Sequence, residues 1–196
     1  MTDVILKPVS GDAILPWLEA VARLRIQVFR EWPYLYEGSE HYERDYLRRY
    51  AASPQSLIVL ALDAGRVVGA ASGLPVSDAD DAFQIPFLGQ GVAPETVFYF
   101  GESVLEKPYR GRGLGHRFFD EREAFASAHG YPVTTFCAVQ RPADHPLRPA
   151  DYRALDTLWL ARGYQRQPHL TTYFPWQDIG DDNETMKPMM FWTRGL

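Results

Sequence analysis

Three glycines alternate with two arginines in the stretch LEKPYRGRGLGHRFF, residues 105–119. Glycine loses more backbone entropy on folding than any other residue, so three glycines within five positions need a physical reason. The stretch leads into a helical pattern, and the first turn of a helix carries free backbone N–H groups and the positive end of the helix dipole. Glycines at such a turn let phosphate oxygens reach those N–H groups, and arginine adds positive charge. These residues therefore predict a phosphate-binding turn.

Two familiar phosphate-binding patterns do not fit this turn. A dinucleotide fingerprint, G-x-G-x-x-G, would need a third glycine where His116 stands. A P-loop would need G-K-[ST] at the start of the helix, but Gly115 is followed by His116 and Arg117. The pattern Q/R-x-x-G-x-G/A does fit, because residues 110–115 read RGRGLG and follow the strand-like segment ESVLEKPY.

These residues resemble the GNAT superfamily of acyl-CoA-dependent N-acyltransferases, whose pattern reads roughly L-x-V-x-P-x-Y-R-G-x-G-x-G. Ser103 and Leu105 hold its two apolar positions, Lys107 its proline position and Tyr109 its tyrosine position. The resemblance implies that the turn wraps the pyrophosphate of coenzyme A and that the preceding strand pairs with the pantetheine arm through a bulge. The candidate cofactor-binding residues are Ser103, Val104, Leu105, Arg110, Gly111, Arg112, Gly113, Leu114 and Gly115.

The resemblance also implies a reaction, which is the transfer of an acetyl group from acetyl-CoA to a primary amine of a small molecule or peptide. The amine would attack the thioester directly in a ternary complex. A backbone N–H near Leu105 would stabilise the oxyanion, while a base deprotonates the ammonium and an acid protonates the leaving thiolate. The alternative is an acyl-CoA-binding sensor, or a degenerate relative, without transferase activity.

Glu102 is the candidate base, because it lies on the predicted cofactor strand within FYFGESVL. Aromatic neighbours would desolvate the carboxylate and raise its pKa toward a useful value. A salt bridge to an arginine is the structural alternative for this residue, and deprotonation relayed by water is the mechanistic one.

The candidate acid is less well defined. The family commonly uses a tyrosine within N-x-x-A-x-x-L-Y-x-x-x-G-F, and the corresponding stretch YRALDTLWLARGY has Trp159 at that position. An indole N–H has no usable acidity, so Tyr152 and Tyr173 are weak substitutes. Cys137, in the middle of a strand pattern, is more typical of a small buried apolar side chain than of a nucleophile.

The acceptor pocket is expected where the family places it, beside the loop after the first helix and the last hairpin. Aromatic and acidic residues there suit a cationic amine. The candidate pocket residues are Trp32, Tyr34, Tyr36, Trp159 and Trp192. An acidic, proline-containing insertion around residues 75–96 is either a lid over the site or a solvated loop.

The helices and strands that position these residues are predicted from the spacing of apolar residues and from the positions of glycine and proline. Their order predicts one N-acetyltransferase domain over residues 1–196. Its fold class is α/β, with a mixed, mostly antiparallel twisted sheet of about 6–7 strands flanked by about 4 helices. Strands are predicted at 4–9, 56–62, 66–74, 97–105, 133–139, 164–174 and 186–194. Helices are predicted at 13–30, 40–52, 114–129 and 152–162.

The composition and net charge of the chain limit the classes of partner that we expect. The net charge of −5 gives no overall field that favours nucleic acid or an anionic membrane. The longest apolar stretch, residues 57–62, is far shorter than the roughly 20 residues that span a bilayer, and the N-terminal residues lack a secretory pattern. We therefore expect a cytoplasmic protein without nucleic-acid or membrane partners. The five histidines lack metal-ligand spacing, so no metal is expected, and the oligomeric state stays open, with a homodimer as one option.

Overall fold

Strands and helices alternate in an α/β pattern along residues 3–196, the part of the chain that the computed structural model describes. Residues 1 and 2, which the predicted domain includes, lie outside the described residues. The strands are β1 (Ile5–Val9), β2 (Leu57–Asp63), β3 (Arg66–Pro75), β4 (Val97–Tyr99), β5 (Ser103–Leu105), β6 (Val133–Val139), β7 (Gln165–Gln177) and β8 (Glu184–Gly195). The α-helices are α1 (Leu18–Phe29), α2 (Glu40–Ala52), α3 (Asp81–Gly89), α4 (Leu114–Ala128) and α5 (Asp156–Ala161).

The strands form one mostly antiparallel sheet in the order β1-β2-β3-β4-β6-β8-β7, with β5 paired to β3 beside β4. Strands β4 and β6 run parallel, whereas the other pairings are antiparallel. This confirms the predicted fold class, with an extra strand because the segment predicted as one strand over 97–105 is broken into β4 and β5.

Both faces of the sheet are covered by helices, which explains the continuous apolar run of β2. Ile58 and Leu60 pack in the cluster that contains residues of α1 and α2, whereas Val59 packs with Phe118 of α4. Successive strand residues point to opposite faces, so a strand buried on both sides has no polar alternation.

The break between β4 and β5 is a β-bulge. Three residue steps on β3, from Leu74 to Ala71, face four steps on the partner, from Tyr99 to Ser103. One extra residue in one strand bends it and increases its local twist. As a result β4 pairs with β6, and the Phe100 N–H still donates to Thr135 O at 2.7 Å, whereas β5 pairs with β3 and diverges from β6. We call the space between β5 and β6 the fork.

The insertion around residues 75–96 is a packed helix and not an open loop. Helix α3 begins where Asp80 caps the Ala82 N–H at 3.1 Å, and it buries Phe83 and Phe87 in the main core. Pro86 lies inside the helix and has no N–H to donate to the carbonyl of Ala82. The Thr172 hydroxyl of β7 donates to that carbonyl at 2.5 Å, so a tertiary contact replaces the lost helix bond.

Two predicted helices are also shorter than expected. Residues 13–30 divide into a 3₁₀ segment, Gly11–Trp17, which contains Pro16, and the helix α1. The helix predicted at 152–162 is reduced to α5. Along residues 3–196, none of the helices combines the length and the apolar character that crossing a bilayer requires.

Candidate cofactor turn and acceptor cleft

The glycine turn, residues 110–115, joins β5 to α4 through the 3₁₀ segment Lys107–Tyr109. Gly111 and Gly113 have positive φ values of 73° and 79°, which side chains other than glycine rarely adopt. Gly113 directly precedes α4 and has no side chain with which to cap the helix. The first N–H groups of α4 are therefore left for an acceptor from outside the turn.

Gly115 is the informative glycine of the turn. It lies in the first turn of α4 without a positive φ, and apart from its chain neighbours and the backbone of its own helix no described atom lies within 4 Å of the position that its Cβ would occupy. Neither the backbone nor the packing of the chain requires glycine here, although alanine would favour the helix by about 1 kcal/mol. The same open space lies in front of Gly111 and Gly113. A group that approaches the backbone from outside, as the pyrophosphate of acetyl-CoA would, is consistent with glycine at position 115, whereas Gly111 and Gly113 are already required by their positive φ.

The arginines of the turn are placed differently from each other. Arg110 donates through Nε to Leu105 O at 2.8 Å and pairs with both carboxylate oxygens of Glu31 at 2.9 and 3.0 Å. Arg110, the predicted anion contact, is therefore paired with Glu31 in the loop that follows α1. Arg112 is exposed and lies 5.2 Å from the centre of the Tyr109 ring. Leu114 is buried, so only its backbone can contact a ligand.

On the side away from β3, the backbone of β5 faces the fork. Glu102 O accepts from Ser72 N at 3.1 Å and Glu106 N donates to Val68 O at 3.0 Å. Because every second residue of an antiparallel strand bonds to one neighbour, the backbone groups of Ser103 and Leu105 point away from β3 toward the fork, where Leu105 O already accepts from Arg110 Nε. The side chain of Val104 is fully buried, so its predicted contact with the cofactor would be limited to the backbone.

Arg122 braces the bulge from beneath. Its guanidinium, on α4, is buried and donates to Glu102 O at 3.0 Å, to Ser72 O at 3.2 Å and to Ser103 Oγ at 2.7 Å. Burial lowers the pKa of Arg122 to about 10, which keeps the group protonated at neutral pH. The sequence analysis missed this residue, although its spacing of four from Phe118 places it on the buried face of α4.

An aromatic cleft of about 730 Å³, including its mouth, opens beside the fork. Tyr99, Gly101 and Cys137 of the fork form one side of it. The predicted pocket residues Tyr34 and Tyr36 line it. Further aromatic rings in its lining are Phe29, Tyr42, Tyr46, Phe83, Phe174 and Trp176.

The charged floor of the cleft consists of Arg25 and Glu43, which line the cleft, together with Glu102, which pairs with Arg25 but does not line the cleft. Arg25 pairs through Nε with Glu43 and through Nη1 with Glu102, and its guanidinium lies 4.2 Å from the centre of the Tyr46 ring. Although burial opposes the charge, the two carboxylates raise the pKa of Arg25 well above its usual value. Tyr46 lines the cleft, and its hydroxyl donates to Glu102 Oε2 at 3.3 Å.

Glu102, the candidate base, is therefore in the salt bridge that the sequence left open as its alternative role. Its side chain is 1% exposed and does not line the cleft, whereas Tyr46, which donates to it, does. Arg25, Glu43 and Tyr46 were not predicted. A usable signal was present, since Glu43, Tyr46 and Tyr50 recur at three and four residues on one face of α2, and a charge in such a stripe indicates a buried ion pair.

Trp159 and Trp192, two of the residues predicted for the acceptor pocket, do not line this cleft. Their ring centres lie 5.1 Å apart, and both pack against Phe136 in a separate core cluster. The reason is strand alternation on β8, where Met189 and Phe191 pack in the main core and Trp192 points to the other face.

Trp32 and Tyr152 form a separate contact outside the cleft lining. Their rings meet edge to face at 6.0 Å, and His145 packs on Trp32 at 5.0 Å. Burial raises the pKa of Tyr152, which makes its phenol a poorer acid. Tyr173 is 57% exposed on β7. The structure thus brings neither predicted acid into the cleft with Glu102.

Cys137 lies where β6 meets the fork, and its sulfur is 3.2 Å from the Tyr99 hydroxyl. Burial raises the pKa of its thiol to about 12. Because the thiolate is the nucleophilic form, this cysteine is unreactive at neutral pH in the folded protein.

Comparison with known proteins agrees with this architecture. A sequence model of the acetyltransferase (GNAT) family matches residues 24–150, which is more than half of the chain. No curated protein matches the sequence significantly.

Solved structures share the fold at low sequence identity. A ribosomal-protein-alanine N-acetyltransferase from Brucella melitensis is 15% identical with a TM-score of 0.62, covering 98% of this chain and 99% of that one. A putative acetyltransferase from Acinetobacter baylyi is 16% identical with a TM-score of 0.63, covering 100% and 94%. The putative acetyltransferase yncA from Salmonella typhimurium, described with its cofactor acetyl-CoA, is 13% identical with a TM-score of 0.59, covering 100% and 95%. The family match, the glycine turn and the fork together show that this chain belongs to the GNAT family of acetyltransferases.

Proposed function

We propose that the protein transfers an acetyl group from acetyl-CoA to a primary amine bound in the aromatic cleft. The observation that supports this proposal is that the fork, the aromatic cleft and the strand that leads to the glycine turn meet at one residue. Gly101 lies in the bulge that opens the fork, lines the aromatic cleft, and precedes β5, which leads to the glycine turn. A cofactor site and an acceptor site that share this residue bring two substrates into contact.

The residues of the chain fit the cofactor in two places. The N–H groups of the first turn of α4 would bind the pyrophosphate, and the backbone of Ser103 and Leu105 would bind the pantetheine arm. Arg110 would join the pyrophosphate contact by exchanging Glu31 for phosphate. Acetyl-CoA supplies the acetyl thioester, whose carbonyl carbon the amine nitrogen attacks as the C–S bond breaks.

The amine has to lose a proton before or during this attack. We assign this role to Glu102 acting through Tyr46, because the Tyr46 hydroxyl is the group that joins the carboxylate to the cleft. The hydroxyl oxygen accepts the proton of the ammonium while its own proton passes to Glu102. The leaving thiolate takes its proton from solvent, since Trp159 occupies the family's usual acid position and lies in the core.

A second candidate function is binding of acyl-CoA without transfer. It is favoured by one observation, the replacement of the family's usual tyrosine by Trp159. The two candidates share the cofactor site and differ in the fate of the thioester.

Thermal unfolding followed by a turnover assay separates these functions. Saturating acetyl-CoA is expected to raise the melting temperature, because a ligand that binds only the folded state stabilises it by mass action. Addition of primary amines is then expected to release free CoA thiol. A raised melting temperature without release of CoA thiol for any amine supports the binding function. If saturating acetyl-CoA does not raise the melting temperature, both candidate functions are excluded.

A further inference from the structure

The charged floor has an unequal number of opposite charges. The single guanidinium of Arg25 is shared by the carboxylates of Glu43 and Glu102, which leaves a formal excess of one negative charge. Within residues 3–196, Oε1 of Glu43 and Oε1 of Glu102 are buried and accept no hydrogen bond. Buried polar atoms are normally hydrogen-bonded, and Glu43 lines the cleft whereas Glu102 does not, so the Glu43 oxygen is the one that a donor arriving with a ligand would satisfy.

The walls above this floor are apolar and aromatic. Aromatic faces attract cations and also pack against apolar or aromatic bodies. Of the described residues that line the cleft, Arg25 alone is a cation, and both of its carboxylate partners already engage it. Arg141 and Lys187 approach the Trp176 ring, but both pair with Asp178 and neither lines the cleft.

These charges discriminate between kinds of amine. A single ammonium would supply the donor and the positive charge that the floor lacks. A free amino acid would bring its own carboxylate close to a floor that has no free cation to pair with it. A polyamine would bring further ammonium groups, which would lose part of their hydration with only the exposed Glu184 as an additional carboxylate at the cleft.

We infer that the acceptor is a monoamine: one primary ammonium on an aromatic or apolar body, without a carboxylate on the carbon that bears the nitrogen. This inference rests on the proposed function for the chemistry and extends it to the class of substrate. The floor recognises the ammonium, and the aromatic walls recognise the body.

Three acceptors of defined chemistry test the inference on the native protein. They are 2-phenylethylamine, L-phenylalanine, which has the same body plus a carboxylate, and spermidine, which is a polycation. With acetyl-CoA, kcat/KM for 2-phenylethylamine is expected to exceed each of the other two by at least tenfold. A value for L-phenylalanine or spermidine equal to or above that of 2-phenylethylamine overturns the inference.

A binding measurement on the complex with CoA separates this inference from the proposed function. If 2-phenylethylamine raises the melting temperature of the complex and the other two do not, but none is acetylated, the transfer function fails and the recognition stands. If no acceptor binds, or all three bind equally, the recognition fails whatever the turnover.

The substitution Glu43→Gln tests the floor itself. It removes the excess charge, so the ratio of kcat/KM between 2-phenylethylamine and L-phenylalanine is expected to fall at least fivefold. A ratio between two substrates does not change when part of the enzyme is simply unfolded. The matched control is Glu40→Gln, an exposed glutamate on the same helix, which should leave the ratio unchanged. An unchanged ratio in folded Glu43→Gln contradicts the inference, and the three native-protein rates decide if that variant does not fold.

Discussion

The substitution Gly115→Ala is expected to change stability and cofactor affinity in opposite directions. Glycine inside a helix is less favourable than alanine by roughly 0.5–1 kcal/mol, and apart from its chain neighbours and the backbone of its own helix the added methyl group meets no described atom within 4 Å. The free protein should therefore become more stable. For a chain of this length, 1 kcal/mol raises the melting temperature by about 2–4 °C.

The same methyl group would stand where the pyrophosphate approaches the first turn of α4. Loss of one hydrogen bond to a charged group costs about 1.5–3 kcal/mol, which corresponds to a Kd for CoA that is roughly 10- to 150-fold higher. Titration calorimetry with CoA measures the affinity, and thermal unfolding without ligand measures the stability. Each result is obtained on the same preparation.

The control is Gly89→Ala at the end of α3, where a Cβ likewise has no described neighbour within 4 Å. It should leave the Kd for CoA unchanged. If Gly115→Ala binds CoA with the native affinity, the glycine turn is not the cofactor site. If it lowers the stability, the argument that the chain itself does not need this glycine is wrong.

Three further predictions concern the bulge, the proton path and alkaline pH. Arg122→Met should lower the free energy of unfolding by about 1.5–3 kcal/mol in denaturant titrations, because it removes the charged donor shared by Ser72 O, Glu102 O and Ser103 Oγ, of which the two carbonyls keep only their backbone N–H donors; a loss below 1 kcal/mol would contradict this bracing role. Tyr46→Phe should lower kcat at pH 7 by about 10²-fold or more while the Kd for acetyl-CoA is unchanged, and in the double variant with Glu102→Gln the losses should not add; full additivity would mean separate roles. Burial raises the pKa of Cys137 to about 12, so the folded state keeps the thiol proton at pH values where the unfolded chain loses it. The contribution of this thiol to the free energy of unfolding should therefore be complete below the ordinary thiol pKa and fall as the pH rises toward 12. Chemical unfolding at increasing pH would refute this if Cys137→Ala lost stability as steeply as the native protein.

Much of the structure around the glycine turn could be predicted from the sequence, because the residues that determine it are close together in the chain. The glycine turn, the strand before it and the helix after it are consecutive in the chain, and their residue types are dictated by backbone geometry. Strands β2 and β3 were predicted for the same reason, since they are adjacent in the chain and are joined by a short turn in which Ala64 and Gly65 have positive φ values.

The acceptor side could not be predicted as well because its residues converge from distant parts of the chain. Arg25, Glu43 and Glu102 come from α1, α2 and the bulge, and no spacing in the sequence links them. The position of Trp192 could not be predicted either, because a strand predicted without its register leaves open which of Phe191 and Trp192 faces the cleft side. Helix α3 was missed because Pro86 argues against a helix unless Thr172, far along the chain, is known to replace its hydrogen bond.

The central claim is acetyl transfer to an amine in the aromatic cleft. The measurement that tests it most directly is quantification of free CoA and of acetylated amine, by mass spectrometry, after the protein is mixed with acetyl-CoA and 2-phenylethylamine, L-phenylalanine or spermidine. The account predicts equal amounts of the two products, formed fastest with 2-phenylethylamine. Free CoA without acetylated amine, or neither product although acetyl-CoA raises the melting temperature, would contradict it.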